Sequence, residues 1–153
     1  MAVKSGYVNG SDLLLTIGED GKALGHCTSH RTTITCETKD RAVKPLKSVA
    51  SSSGLFKSKT ITGINITITA DGLICSPETE CGYGDLTEMM KLGEPVHATC
   101  IERGKENPYL EGDFVITSLE QDAPAGDDAT YSITLENDGA LTGWDDSAVI
   151  PGA

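Results

Sequence analysis

The chain has 153 residues, 38% of them apolar, which suits one domain with a hydrophobic core and not a disordered composition. Its formal net charge of −11 repels phosphates and argues against nucleic-acid binding through backbone contacts. No run approaches the roughly 20 apolar residues of a membrane helix, and "MAVKSGYVNG" lacks the apolar stretch of a secretory signal, so no membrane partner is expected and the protein is expected to stay where it is made.

"LLLTIGEDGKALGHC" (13–27) reads as a hairpin: Leu13, Leu15 and Ile17 alternate, and Asp20-Gly21 supplies the turn. "HRTTITCETK" (30–39) is a strand with Ile34 and Cys36 on one face and Thr33, Thr35 and Glu37 on the other. The segment "KDRAVKPLKSVASSSGLFKSK" (39–59) follows, and Pro45 with the Ser/Gly-rich centre marks a long loop over about 39–56. Next, "KTITGINITITADG" (59–72) sets Ile64, Ile66 and Ile68 on one face, with Gly63 as a bulge candidate.

"GDLTEMMKLGEP" is the one helix, over about 85–92. Asp85 and Glu88 form a capping box, Leu86, Met89 and Met90 an apolar stripe, and Gly93 and Pro95 the stop. In "PVHATCIER" the residues Val96, Ala98 and Cys100 point inward; in "ATYSITLEN" Tyr131, Ile133 and Leu135 do. Between them, "GDFVITSLE" is apolar on both parities, Phe114 and Ile116 against Val115 and Leu119, which requires a cover: the helix or a second copy. The expected class is mainly β, a sandwich or small barrel of about seven or more strands with one short flanking helix.

No constellation points to chemistry. Cys27, Cys36, Cys75, Cys81 and Cys100 are odd in number and lack C-x-x-C, so they read as reduced buried thiols; "CSPETEC" would close a loop only in an oxidising compartment. His26, His30, His97 and Cys100 lack zinc spacing, and Glu120, Asp122, Asp127 and Asp128 lack the EF-hand pattern. There is no G-x-S-x-G and no phosphate loop; the carboxylates lie mostly on loops and polar faces, and aromatic residues for sugar stacking are few, only 5%. The sequons at Asn9 and Asn65 are coincidences without a signal peptide. No enzyme, metal or cofactor is expected.

Charge is segregated. Residues 39–59 carry six of the twelve basic side chains and one acid, Asp40, while the chain after Lys105 has eleven acids and no Lys or Arg. The basic residues are interleaved with apolar ones, including Leu46, Leu55 and Phe56. A solvated basic loop is the ordinary explanation. A patch complementary to another patch of the same molecule instead makes heterologous contacts, which close into rings or run on as filaments. Lys39, Arg41, Lys44, Lys47, Leu55, Phe56, Lys57 and Lys59 are the expected subunit-interface residues.

The order of these elements, with "ETKDRAVKP", the "GLFK" strand start, "GYGDLTEMMKLGEPV" and above all "PYLEGDFVITSLEQDAPAGDDATYSITLEN", resembles the major tail tube proteins of long-tailed bacteriophages and prophages over residues 11 to about 144. The resemblance implies a β-sandwich with a flanking helix, hexameric rings stacked into a virion tail tube, and a long loop, here Lys39 to Lys59, that reaches a neighbouring subunit or the next ring. It implies self-association, contact with other tail proteins, synthesis in the bacterial cytoplasm, and DNA as a non-specific passenger along an acidic lumen. Glu111, Asp113, Glu120 and Asp122 are the candidate lumen acids. The expected organisation is a flexible N-terminal arm over 1–10, a tail-tube domain over 11–138 and a C-terminal extension over 139–153. A tube of a related injection machine and a β-sandwich ligand-binding module are the alternatives.

Overall fold

Alternating apolar residues become the rungs of one sheet in the computed structural model, which describes residues 6–18, 22–42, 57–75 and 82–141. The elements are β1 (Leu13–Ile17), β2 (Lys22–Ala23), β3 (Cys27–Arg41), β4 (Ser58–Leu73), α1 (Tyr83–Leu92), β5 (Val96–Glu102), β6 (Leu110–Asp122) and β7 (Thr130–Asn137), after a 3-10 turn at Gly10–Asp12. The seven strands lie in the order β2-β1-β5-β6-β7-β4-β3. The pairs β1/β2, β1/β5, β5/β6, β6/β7 and β4/β7 are antiparallel. The terminal strands β2 and β3 do not pair with each other, so the fold is mainly β, sandwich-like and not a closed barrel.

The chain forms two units, Thr33–Ile66 and the remainder, so β3 and β4 each contribute to both. In the larger unit the buried residues fall on one face, strand after strand. Leu15 faces Cys100, which faces Leu110; Val96 faces Phe114; Ile116 faces Leu135, which faces Ile68. Tyr131, Phe114, Ile17, Ile68, Leu86, Ile133 and Leu135 are fully buried. Each contributes about 1.5–3 kcal/mol by leaving water.

The ambiguity of the 112–119 segment resolves as a β-bulge. The β6/β7 register slips between Ile116 and Ser118, with Ile116 opposite Leu135, Ser118 opposite Thr134 and Leu119 opposite Ile133. Thr117 is the extra residue. Leu119 therefore joins Phe114 and Ile116 on the core face, and only Val115 is left outside, substantially exposed. α1 packs on β6.

Several sequence expectations need correction. α1 starts at Tyr83, with Gly82 as an N-cap that makes no side-chain bond; Asp85 lies in the first turn, where it meets the helix dipole and does not cap. Gly93 does end the helix in the left-handed conformation, its N–H bonded to the Met90 carbonyl. Of the apolar stripe, Leu86 is buried but Met90 is partly exposed. β3 begins at Cys27 and continues past Lys39 to Arg41, so the long loop does not start at 39. Ile66 and Ile68 are buried, yet Ile64 is 47% exposed, and Ile34 on β3 is 50% exposed. Cys36 is exposed, unlike buried Cys100. The Asp20-Gly21 turn, Cys81, residues 1–5 and residues 142–153 lie outside the described residues.

The smaller unit is a ribbon of its β3 and β4 segments. The Glu37 carboxylate lies over Gly63, where a Cβ would meet it at 3.2 Å, and accepts a 3.1 Å hydrogen bond from the Asn65 amide. Those contacts put Glu37, Gly63 and Asn65 on one face, so Ile34, Cys36 and Ile64 share the other.

Candidate assembly surfaces

Glu111, Asp113, Glu120 and Asp122 all stand on the face of β6 opposite the core. Strict alternation would separate the first two from the last two, because 113 and 120 differ in parity. The bulge at Thr117 restores the parity. Glu111 and Asp113 face Thr99 and His97 on β5; Glu120 and Asp122 face Ser132 and Thr130 on β7. Glu136, opposite Val115 and Thr67, and Asp71, opposite Ser132, extend the same face. On β5, β6, β7 and residues 67–73 of β4, this surface carries six carboxylates, no Lys or Arg, and several threonines.

Two residues, Asp71 and His97, organise the surface. Ser132 Oγ donates to Asp71 Oδ1, and Ser29 Oγ lies 3.5 Å from Asp71 Oδ2. His97 sits between two acids: Nε2 is 2.8 Å from Glu111 Oε1 and Nδ1 is 3.4 Å from Asp113 Oδ1. Partial burial disfavours the imidazolium, but the hydrogen bonds and charges of Glu111 and Asp113 outweigh it and hold the His97 pKa above its ordinary 6.5.

Of the expected interface residues, Lys39 and Arg41 are exposed on β3, Lys57 is exposed just before β4, and Lys59 is exposed within β4. Lys59 Nζ is 2.9 Å from Asp40 Oδ1, so its charge is partly answered within its own ribbon. At that exposure the pair is worth about 0–1 kcal/mol. Lys44, Lys47, Leu55 and Phe56 lie outside the described residues.

Elsewhere burial is the leading cause of the shifts. Burial pushes the Cys100 thiol up to about 11, with partial relief from hydrogen bonds to Tyr109 and Thr32. Burial also raises Cys27 and lowers His30. Glu102, at the end of β5 and on the same parity as Val96, Ala98 and Cys100, is 3% exposed and sits 2.9 Å from Lys105 Nζ. A groove of about 740 Å³ follows the open edge between β1 and the start of β3, with Leu13, Leu15, Leu24, His30 and Arg103 among its walls. Among the described residues no cluster of three or more His, Cys, Asp and Glu suits a metal ion.

A family model described as phage tail tube protein matches residues 7–143. Among solved structures, the chain is similar to the tail of an empty gene transfer agent particle with C6 symmetry, at 19% identity and TM-score 0.71, covering 88% of this chain and 96% of the other. It is similar to a subunit in the virion of a native gene transfer agent particle, at 21% identity and TM-score 0.68, covering 87% and 95%. A third likeness, at 14% identity and TM-score 0.54, is to the sheath-tube complex of an extracellular contractile injection system in its extended state, covering 87% and 88%. At these identities the structural likeness establishes the fold. No curated protein sequence matches the chain.

Proposed function

The chain belongs to the phage tail tube protein family, and on that footing we propose that it is a non-enzymatic virion protein that assembles into stacked hexameric rings whose bore conducts DNA. The observation that carries the reading is the outer face of β5, β6, β7 and β4, with six carboxylates and no Lys or Arg. Turned to a bore, such a surface repels phosphates, and DNA slides without counterion-release binding. The C6 symmetry of a structurally similar tail supports the ring number.

The basic stretch 39–59 is the docking arm of this assembly, reaching an acidic surface on another copy. Lys39, Arg41 and Lys57 steer the encounter, and the apolar side chains supply most of the affinity. Other tail proteins cap the tube, and no cofactor is involved. The injection-system likeness favours a second reading, the tube of a related injection machine; genomic neighbours separate the two.

Negative-stain microscopy of purified protein over a concentration series tests the assembly. Rings or tubes are expected, and monodisperse monomers at every concentration would sink it. Reversing Lys44 and Lys47 to Glu slows assembly with the fold intact; unchanged assembly removes the arm's role.

A further inference from the structure

A neutral imidazole has one N–H and one lone pair. Both ring nitrogens of His97 nevertheless face carboxylate oxygens, Glu111 Oε1 at 2.8 Å and Asp113 Oδ1 at 3.4 Å. Only the doubly protonated ring donates to both; in the neutral ring one nitrogen presents its lone pair to a carboxylate and repels it. The three residues sit on adjacent strands, with His97 on β5 directly opposite Asp113 on β6 and Glu111 two residues back on the same face.

We propose that His97 is a proton-gated counter-charge on the acidic face: protonated, it bridges Glu111 and Asp113 and offsets one of their two charges, and deprotonated, it releases one of them and leaves the surface more negative. The gate deepens the reading of this face as a DNA-conducting wall, and rests on that reading for its consequence.

The surroundings support the gate. A hollow of about 430 Å³, bordered by Gly18, Glu94, Pro95, Val96, His97 and Asp113, gives water access to the ring. The charged groups around it are Glu111 and Asp113 from β6 and Glu94 from the connection after α1. Asp138, whose N–H bonds the Asp113 carbonyl at 2.8 Å, follows β7. From the β1 side, Gly18 donates its N–H to the His97 carbonyl at 2.7 Å and brings no charge. Of these acids, Glu111 and Asp113 favour the imidazolium, by hydrogen bond and by charge. On β5, β6, β7 and residues 67–73 of β4 no other side chain of this face can become a cation, so its charge has a single basic titration step.

The test is a histidine-detected NMR titration of dispersed wild-type protein, with His97 assigned by its loss in His97→Gln. A His97 pKa above 6.5, lowered in both Glu111→Gln and Asp113→Asn, is expected. A wild-type value at or below 6.5, or one that neither variant lowers, overturns the gate. The wild-type titration decides even where one variant fails to fold. Because the measurement uses dispersed subunits, an ordinary pKa in a protein that still builds tubes refutes the gate alone. A raised pKa in a protein that never assembles refutes the tube reading alone.

Discussion

The phenol ring of Tyr131 lies directly over the Cα of Gly72, its partner across the β4/β7 ladder. A Cβ on residue 72 would come within 2.6 Å of the Tyr131 ring. The ring is fully buried, and its hydroxyl donates to the Gly25 carbonyl, which fixes it from the far end. Gly72→Ala is therefore expected to cost about 1–3 kcal/mol through overpacking, measured by urea unfolding. Tyr131→Phe removes the anchoring bond at a cost of about 1 kcal/mol. In the double variant the freed ring yields to the new methyl, so the two losses sum to more than the observed one.

The bulge makes a prediction that strict alternation would reverse. Removing Thr117 turns β6 into an unbroken ladder, with Ile116, Ser118 and Leu119 opposite Leu135, Thr134 and Ile133 as before. That deletion should fold and melt near the wild type. Deleting Val115 instead absorbs the bulge the wrong way, turning Ile116 outward and Thr117 inward. It should lose less than the roughly 2–5 kcal/mol of removing a fully buried Ile side chain, because Ile116 is half-buried. Thermal melts of the two deletions compare them directly.

How much of this was legible depends on what each residue's neighbours do. The cores of β5 and β7 could be read because Val96, Ala98, Cys100 and Tyr131, Ile133, Leu135 alternate without interruption, and all are buried. The end of α1 could be read from Gly93, its start could not, because Gly82 caps without a side chain. The continuation of β3 past Lys39 to Arg41 escaped because both of its faces are exposed there, and alternation needs one buried face to show. The acidic face is not legible from alternation, since its four β6 acids share a side only through the bulge. Glu102 escaped as well: a carboxylate on an inward parity looks like the end of a strand until its Lys105 partner is seen.

That ion pair carries its own expectation. Lys105→Met leaves the nearly inaccessible Glu102 carboxylate without its ammonium at 2.9 Å. The loss should fall below the roughly 3–5 kcal/mol of a fully buried broken pair, because Lys105 is partly exposed. Urea unfolding at neutral pH reads the loss. Glu102→Gln with Lys105→Met should recover part of it by removing the buried charge.

Stability should depend on pH through His97. Its folded-state pKa is raised by Glu111 and Asp113 against the opposing effect of partial burial. The contribution is complete below the unfolded value of about 6.5 and disappears as pH rises through the folded value. Wild type should therefore melt above His97→Gln in mildly acidic buffer, and the gap should shrink as pH rises. A gap that widens with pH contradicts the sign.

Lys39 and Arg41 are exposed on β3, so replacing both with Glu should leave the melting temperature unchanged. If they steer docking, ring formation followed by light scattering should slow severalfold at low salt. The difference should fade as salt approaches about 1 M, where the Debye length is only about 3 Å.

Among the described residues, the fifteen-residue β3 ends the sheet with no strand on its far side. Its ribbon also shows Ile34, Ile61 and Ile64 to solvent, at 50%, 61% and 47%. An isolated subunit thus offers unsatisfied amides and greasy side chains together, the pairing that seeds disordered precipitate. If the chain assembles as proposed, ordered polymerisation has to outpace amorphous clumping at this border.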